Sequence, residues 1–345
     1  MLQTVLSEYD IDANECIIKP FGSGLINNTW DIKKGNEHYI LQRINHKVFK
    51  QPEYIAENVR LVANYLNKNY PGYSFVAPVK TIKGGDIVFS YDEGYFRMFP
   101  FVKNSHTIDV VTNPGQAYEA AKQFGAFTKK LSGFNAAHLK ITLPDFHNLS
   151  LRYQQFEDAL VNGNTERIAI AADSIAAAKN YKGIVNEFEK IKHDSEFKIR
   201  VTHHDTKISN VLFDDNDKGL CVIDLDTIMP GYFISDVGDM LRTYLSPANE
   251  EEKDLTKIEV RMDYLDAVIK GYLSELHDEL TEKEKQSFIY AGKFMIYMQA
   301  LRFLTDYIND DLYYGAKYEG HNLIRAKNQL ALLKCLAGKE WSFQL

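Results

Sequence analysis

Apolar and polar residues alternate through the first hundred positions of the chain, then recur at helical spacing almost to its end. Ile17-Ile18-Lys19-Pro20-Phe21, Thr29-Trp30-Asp31-Ile32 and Tyr39-Ile40-Leu41-Gln42-Arg43-Ile44 read as three strands. Gly22-Ser23-Gly24 forms the first turn and Lys33-Lys34-Gly35-Asn36 the second. Ile55, Val59, Val62 and Leu66 then fall at i, i+4, i+7 and i+11, which predicts a helix over 52–68 with Pro52 in its first turn. Strand patterns return at Phe75 to Val79, Ile87 to Ser90 and Tyr95 to Phe99. The order predicts a small antiparallel sheet carrying one helix.

Pro100-Phe101-Val102-Lys103-Asn104 reads as a linker. Beyond it, helices are predicted over 116–131, 149–160, 165–179, 183–192, 257–276 and 323–337. Thr281-x-x-Glu284 reads as a capping box opening a further helix that runs to about Tyr307. The fold class is therefore α+β, in two lobes. A small antiparallel-sheet lobe at 1–103 is followed by a larger, mainly helical lobe at 104–345, with the active site in the cleft.

Composition narrows the function classes. A chain of 345 residues exceeds what one small core covers, which agrees with two lobes. A net charge of −7 argues against a nucleic-acid or anionic-membrane surface and leaves room for a local basic pocket. Cys16, Cys221 and Cys335 are odd in number and widely spaced, so no disulfide framework is expected and a reducing compartment is. The first residues lack a basic segment followed by an apolar run, and no stretch is long enough to span a bilayer. A cytoplasmic protein with no obligate protein partner is expected.

The helical half is interrupted at 202–225 by a polar loop between short apolar runs. Asp205 and Asn210 are five residues apart, and Asp224 follows 14 later at the end of Cys221-Val222-Ile223. Phosphoryl transfer needs hard oxygen ligands for Mg²⁺ and a separate carboxylate facing the nucleophile, and protein kinases meet this need with the same spacing. Asp205 and Lys207 are the expected catalytic pair, Asn210 and Asp224 the metal ligands, ATP and Mg²⁺ the implied cofactors. Gly22, Ser23 and Gly24 are expected over the nucleotide phosphates; they precede a strand, which excludes a Rossmann site. Arg43 stands where kinases carry a phosphate-pairing lysine, with Glu57 as its expected helix-borne partner and Glu53 as the alternative. Asp236 is expected to brace the loop, and Asp226 to stand behind Asp224.

Taken together, Gly22-Ser23-Gly24, Arg43, His204-Asp205 with Asn210, Ile223-Asp224 and Asp236 resemble the aminoglycoside phosphotransferase and choline kinase-like family, from about residue 15 to about 335. The longer strings His204-Asp205-Thr206-Lys207-Ile208-Ser209-Asn210, Val222-Ile223-Asp224-Leu225-Asp226-Thr227 and Leu301-Arg302-Phe303-Leu304-Thr305-Asp306 resemble its N-acetylhexosamine 1-kinase branch. That resemblance implies a protein kinase-like two-lobe fold and ATP-dependent phosphorylation of the anomeric hydroxyl of GlcNAc or GalNAc. It also implies sugar contacts from Tyr244, Arg302, Tyr313 and Trp341, with Tyr314 an alternative to Tyr313 and C-terminal packing an alternative role for Trp341. The chain departs from the wider kinase pattern in having Arg43, or Gln42 if the register slips by one, in place of the strand lysine. Choline, homoserine, an aminoglycoside or another hexose remain alternative acceptors, and a nucleotide-binding pseudokinase is the reading from another class.

Overall fold

The protein's structure, a computed structural model, describes residues 2–22 and 26–339. A short helix α1 (Leu2–Ser7) leads into β1 (Ile17–Pro20), β2 (Asn28–Lys34) and β3 (Glu37–Ile44). Helix α2 (Pro52–Asn69) follows, then β4 (Val88–Ser90) and β5 (Gly94–Pro100). The strands form an antiparallel sheet in the order β1-β2-β3-β5-β4. Pro52 opens α2, where its missing N–H costs nothing. Residues 75–79, expected as a strand, form none, although the Val79 N–H donates to the Met98 carbonyl at 2.7 Å.

The helical part contains α3 (Pro114–Lys130), α4 (Leu149–Asn162), α5 (Thr165–Ile170), α6 (Ala172–Asn180) and α7 (Gly183–His193). Two small ribbons interrupt it. β6 (Arg200–Thr202) pairs with β9 (Met229–Gly231), and β7 (Val211–Phe213) pairs with β8 (Gly219–Val222). Helices α8 (Phe233–Tyr244), α9 (Met262–Leu276), α10 (Glu282–Gln286), α11 (Phe288–Ile308) and α12 (His321–Ala337) complete it. Asn113 and Asn148 accept backbone N–H groups at the starts of α3 and α4, and Lys129 and Lys130 sit in the last turn of α3, where the helix dipole favours them. Among the described residues no helix is long and apolar enough to cross a membrane.

Two predicted helices are broken by tertiary contacts. The capping box of Thr281 and Glu284 forms, but α10 stops at Ser287 before α11 begins. Glu284 is fully buried; it binds Arg200 at 2.6 and 2.9 Å and accepts the Lys198 N–H at 3.0 Å, which ties the short helix to β6. The helix expected over 165–179 divides at Ala171, and the one expected from 257 starts at Met262.

Two apolar clusters hold the chain. One joins α1 to one face of the sheet through Val5, Leu6, Ile32, Leu41, Phe96 and Met98. The larger fills the helical part and includes Ile55, Val59, Val62 and Leu66, so the buried stripe of α2 packs with the helices that follow it. Each such side chain, fully buried, contributes about 1.5–3 kcal/mol. Helix α8 lies close against α11, because a Cβ at Gly238 would stand 2.4 Å from the Ala291 carbonyl oxygen. Backbone cannot yield there as a side chain could. Gly238→Ala is expected to cost about 1–3 kcal/mol through overpacking, read as a lower urea midpoint, and an unchanged midpoint would refute the close contact.

Candidate active site

The polar loop is held by its backbone. Asp236, fully buried on α8, accepts the N–H groups of His203 at 3.0 Å and His204 at 2.7 Å. Asp239, one turn on, accepts the N–H of Thr206 at 2.8 Å, and the Thr206 hydroxyl donates to the Asp236 carbonyl at 2.7 Å. His204 is thereby kept at φ 66°, a conformation that side-chain-bearing residues rarely adopt. Its ring fits because residue 231 is glycine: a Cβ there would lie 2.5 Å from His204 Cε1. This turn presents Asp205 at the surface of the cleft. Asp236 therefore has the bracing place the sequence predicts.

Asp205, Asn210, Lys207 and Asp224 come together. Asn210 Nδ2 donates to the Asp205 carbonyl at 2.8 Å and to its carboxylate at 3.1 Å. Lys207 Nζ stands 3.2 Å from the same carboxylate. Burial opposes the Lys207 charge, but Asp205, Asp239 and Asp224 outweigh it and hold the ammonium above its ordinary value. The Ile223 N–H donates to the Asn210 carbonyl at 2.9 Å, which fixes Asp224 beside it in a left-handed turn, φ 58°. Enclosure in the cleft, then the negative charges of Asp226 and Asp205, push the Asp224 carboxyl up, with Arg97 and Lys207 pulling against them. Such a surplus of negative charge fits a divalent cation. Among the described residues no three His, Cys, Asp or Glu side chains converge on a metal position. Asp224 and Asn210 would thus supply the protein ligands and leave the remaining positions to phosphate and water, as Mg²⁺ commonly requires.

The sheet offers this cleft a different charge from the one expected. Gln42 lies opposite Thr29 and Arg97, whereas Arg43 lies opposite Asn28 and Phe96, on the other face. Arg43 does not pair with Glu57: it binds Glu93 at 2.5 Å and Asn28 at 2.9 Å. Neither Glu57 nor Glu53 pairs with it. Arg97 of β5 faces the cleft and forms an ion pair with Asp226. Arg97 stands outside the residues expected at the site, although a lone charge inside Tyr95-Phe96-Arg97-Met98-Phe99 is a legible signal. Gly22 has φ 77°, as a tight turn after β1 requires. Ser23 and Gly24 lie outside the described residues, and Asn27, just before β2, donates to Asp226 at 2.8 Å.

Arg302 and Tyr313 line a cavity of about 400 Å³ together with Tyr314, Arg152 and Thr305. The Arg302 guanidinium lies 5.8 and 5.4 Å from the rings of Tyr313 and Tyr314. Asp205 does not line this cavity. Tyr244 corrects an expectation: it is 1% exposed and its hydroxyl donates to the Thr206 carbonyl at 2.7 Å. It braces the loop from beneath and has no face to offer a sugar. Trp341 lies outside the described residues. His147, which belongs to no motif of the chain, stacks on Phe146 and brings Nδ1 to 3.4 Å from His204 Nδ1.

Burial pushes the Asp236 carboxyl up to about 7 from 3.8, with its two backbone N–H donors pulling it down. A carboxyl whose folded value is raised contributes stability below its unfolded value that is lost as pH climbs through the folded one. The advantage of the wild type over Asp236→Asn is therefore expected to narrow from pH 4 to pH 7, read as denaturation midpoints; a widening gap would contradict the assignment.

The phosphotransferase enzyme family (APH) matches residues 17–280. Three solved structures share the fold along nearly the whole chain. A microcompartment-associated aminopropanol kinase is 15% identical, with a TM-score of 0.67, over 96% of this chain and 95% of its own. An aminoglycoside phosphotransferase from Alicyclobacillus acidocaldarius subsp. acidocaldarius DSM 446 is 14% identical, with a TM-score of 0.62, over 97% and 95%. Choline kinase from Cryptosporidium parvum Iowa II is 15% identical, with a TM-score of 0.52, over 96% and 97%. With an antiparallel sheet leading into a helical part, and a match across most of its length, the chain belongs to the phosphotransferase enzyme family.

Proposed function

We propose that the chain transfers the γ-phosphoryl group of ATP to the anomeric 1-hydroxyl of an N-acetylhexosamine, GlcNAc or GalNAc, giving the α-1-phosphate in amino-sugar salvage. The observation that carries the reading is the Asp205 carboxylate held between Asn210 and Lys207, with Asp224 beside them. In this proposal residues 1–103 bind the nucleotide and 104–345 bind the acceptor and carry the chemistry. A nucleoside triphosphate donor and three free thiols suit the cytoplasm.

Asp205 accepts the proton of the 1-hydroxyl as its oxygen bonds to the γ-phosphorus and the bond to the departing ADP breaks. Lys207 neutralises charge on the moving phosphoryl group. Asn210 and Asp224 would hold Mg²⁺, which would supply neutralisation of the phosphate charge. Gly22, Ser23 and Gly24 offer backbone N–H groups to the phosphates. Arg302 and Tyr313 hold the sugar by hydrogen bonds and an aromatic face.

Other small alcohols form the second reading. The cavity holds Arg152 and Arg302, which make no ion pair among the described residues, beside Asp158 and Asp306, and Asp306 is occupied by the N–H groups of Tyr313 and Tyr314 at 2.7 and 2.9 Å. A pseudokinase is disfavoured by the intact Asp205, Asn210 and Asp224 set.

Asp205→Asn is expected to leave nucleotide binding intact and cut turnover by about 10²-fold or more, the effect typical of a lost general base; full turnover would remove Asp205 from the mechanism. Incubation with Mg-ATP and a mixture of free sugars and choline should yield an N-acetylhexosamine 1-phosphate, identified by its linkage. Phosphocholine without sugar phosphate would overturn the acceptor assignment.

A further inference from the structure

Arg97 is an arginine on a central part of the sheet, 1% exposed, with no counterpart in the loop chemistry described above. Its neighbours aim it. The β3–β5 register places Gln42 directly across from it, and Gln42 Oε1 accepts from Arg97 Nε at 3.1 Å and Nη2 at 2.9 Å. The guanidinium lies 5.0 Å from the centre of the Phe99 ring and pairs with Asp226, two residues past Asp224. Its charge is felt at Asp224 itself. Nη1 has no hydrogen-bond partner among the described residues. A planar fork fixed at two nitrogens, with a third unengaged beside the expected magnesium ligand, is preorganised for an oxygen-rich anion.

The strand position expected to supply a phosphate contact cannot do so. Arg43 is one residue away from Gln42, so it emerges from the opposite face, where Glu93 and Asn28 engage it. Gln42 is neutral. The positive charge that β3 lacks on the cleft face is present one strand over.

We propose that Arg97 is the nucleotide-contacting residue of the sheet: with ATP or ADP bound, its guanidinium holds phosphate oxygens next to the metal, while Gln42 fixes its plane and Asp226 holds its charge when no nucleotide is there. This rests on the kinase reading above. Asp226 also takes the Asn27 amide, so the same carboxylate connects the glycine turn, the sheet and the loop bearing Asp224. Nucleotide phosphate and Asp226 then share or exchange Arg97, and a kinase without the strand lysine keeps a fixed cation at its phosphates.

The test is binding of ADP and of adenosine, by calorimetry in EDTA, to the wild type, Arg97→Met, Arg97→Lys and Asp226→Asn. Arg97→Met is expected to weaken ADP by tenfold or more and leave adenosine unchanged, Arg97→Lys to recover part of the loss, and Asp226→Asn to keep or improve ADP affinity because a competing carboxylate is gone. Thermal melting checks that each variant is folded; if Arg97→Met is not, Arg97→Lys and Asp226→Asn decide. Equal losses for ADP and adenosine, no loss for either, or an ADP loss in Asp226→Asn matching that in Arg97→Met would show a purely structural clasp and overturn the proposal. A wild type that binds neither ligand would instead overturn the kinase reading, and this one with it.

Discussion

The site depends on where the amide hydrogens at 203 and 204 go. Both are buried, and both are taken by the Asp236 carboxylate on α8. Hydrogen bonds to a charged or partly charged acceptor contribute about 1.5–3 kcal/mol each. A non-glycine residue in the left-handed region costs about 1–3 kcal/mol. Two such bonds outweigh the strain at His204, so the turn is fixed by the helix beneath it. The helix is placed in turn by Gly238 against the Ala291 carbonyl. A missing methylene on α8 is in this way linked, through one carboxylate, to the direction in which Asp205 faces.

The balance of charge in the cleft follows from the same arrangement. Asp205, Asp224, Asp226, Asp236 and Asp239 crowd one small volume, and Lys207, Arg97 and Arg242 answer them. Arg242 stays with Asp239 at 3.1 Å, and Arg97 with Asp226. That leaves Lys207 close to both Asp205 and Asp224, which is fewer positive charges than the cluster calls for. Fixed acids with too little fixed counter-charge are expensive as a folding device. They suit a site whose substrate arrives with its own metal ion.

Much of this was legible along the chain, and the rest was hidden for identifiable reasons. Asp205, Asn210 and Asp224 belong to one loop and the hairpin after it, so their spacing carries their geometry. Pro52 and the Thr281 capping box act on residues within one turn, and the helices they open begin where expected. The face of β3 was not legible, because both of its faces are covered: Leu41 packs toward α1 and Ile44 toward the helical core. Alternation between apolar and polar residues therefore does not say which of Gln42 and Arg43 looks into the cleft. Tyr244 failed for another reason. A tyrosine serves equally as a wall or as a brace, and only the Thr206 carbonyl above it decides. The breaks at Ala171 and Ser287 belong to tertiary contacts, such as that between Glu284 and Arg200, which local periodicity does not contain.

Asn58 bears on how the molecule moves. This fully buried amide of α2 donates to the Lys140 and Ile228 carbonyls at 2.8 and 2.9 Å and accepts the Lys140 N–H at 2.8 Å. Swinging α2 outward would break three hydrogen bonds at once in a place that water does not reach. In protein kinases the position of the corresponding helix is an on–off control. Here it is anchored to Lys140 and Ile228, so the place of α2 against the stretch that follows Asp224 is set by the fold itself, and moving it carries the cost of all three bonds.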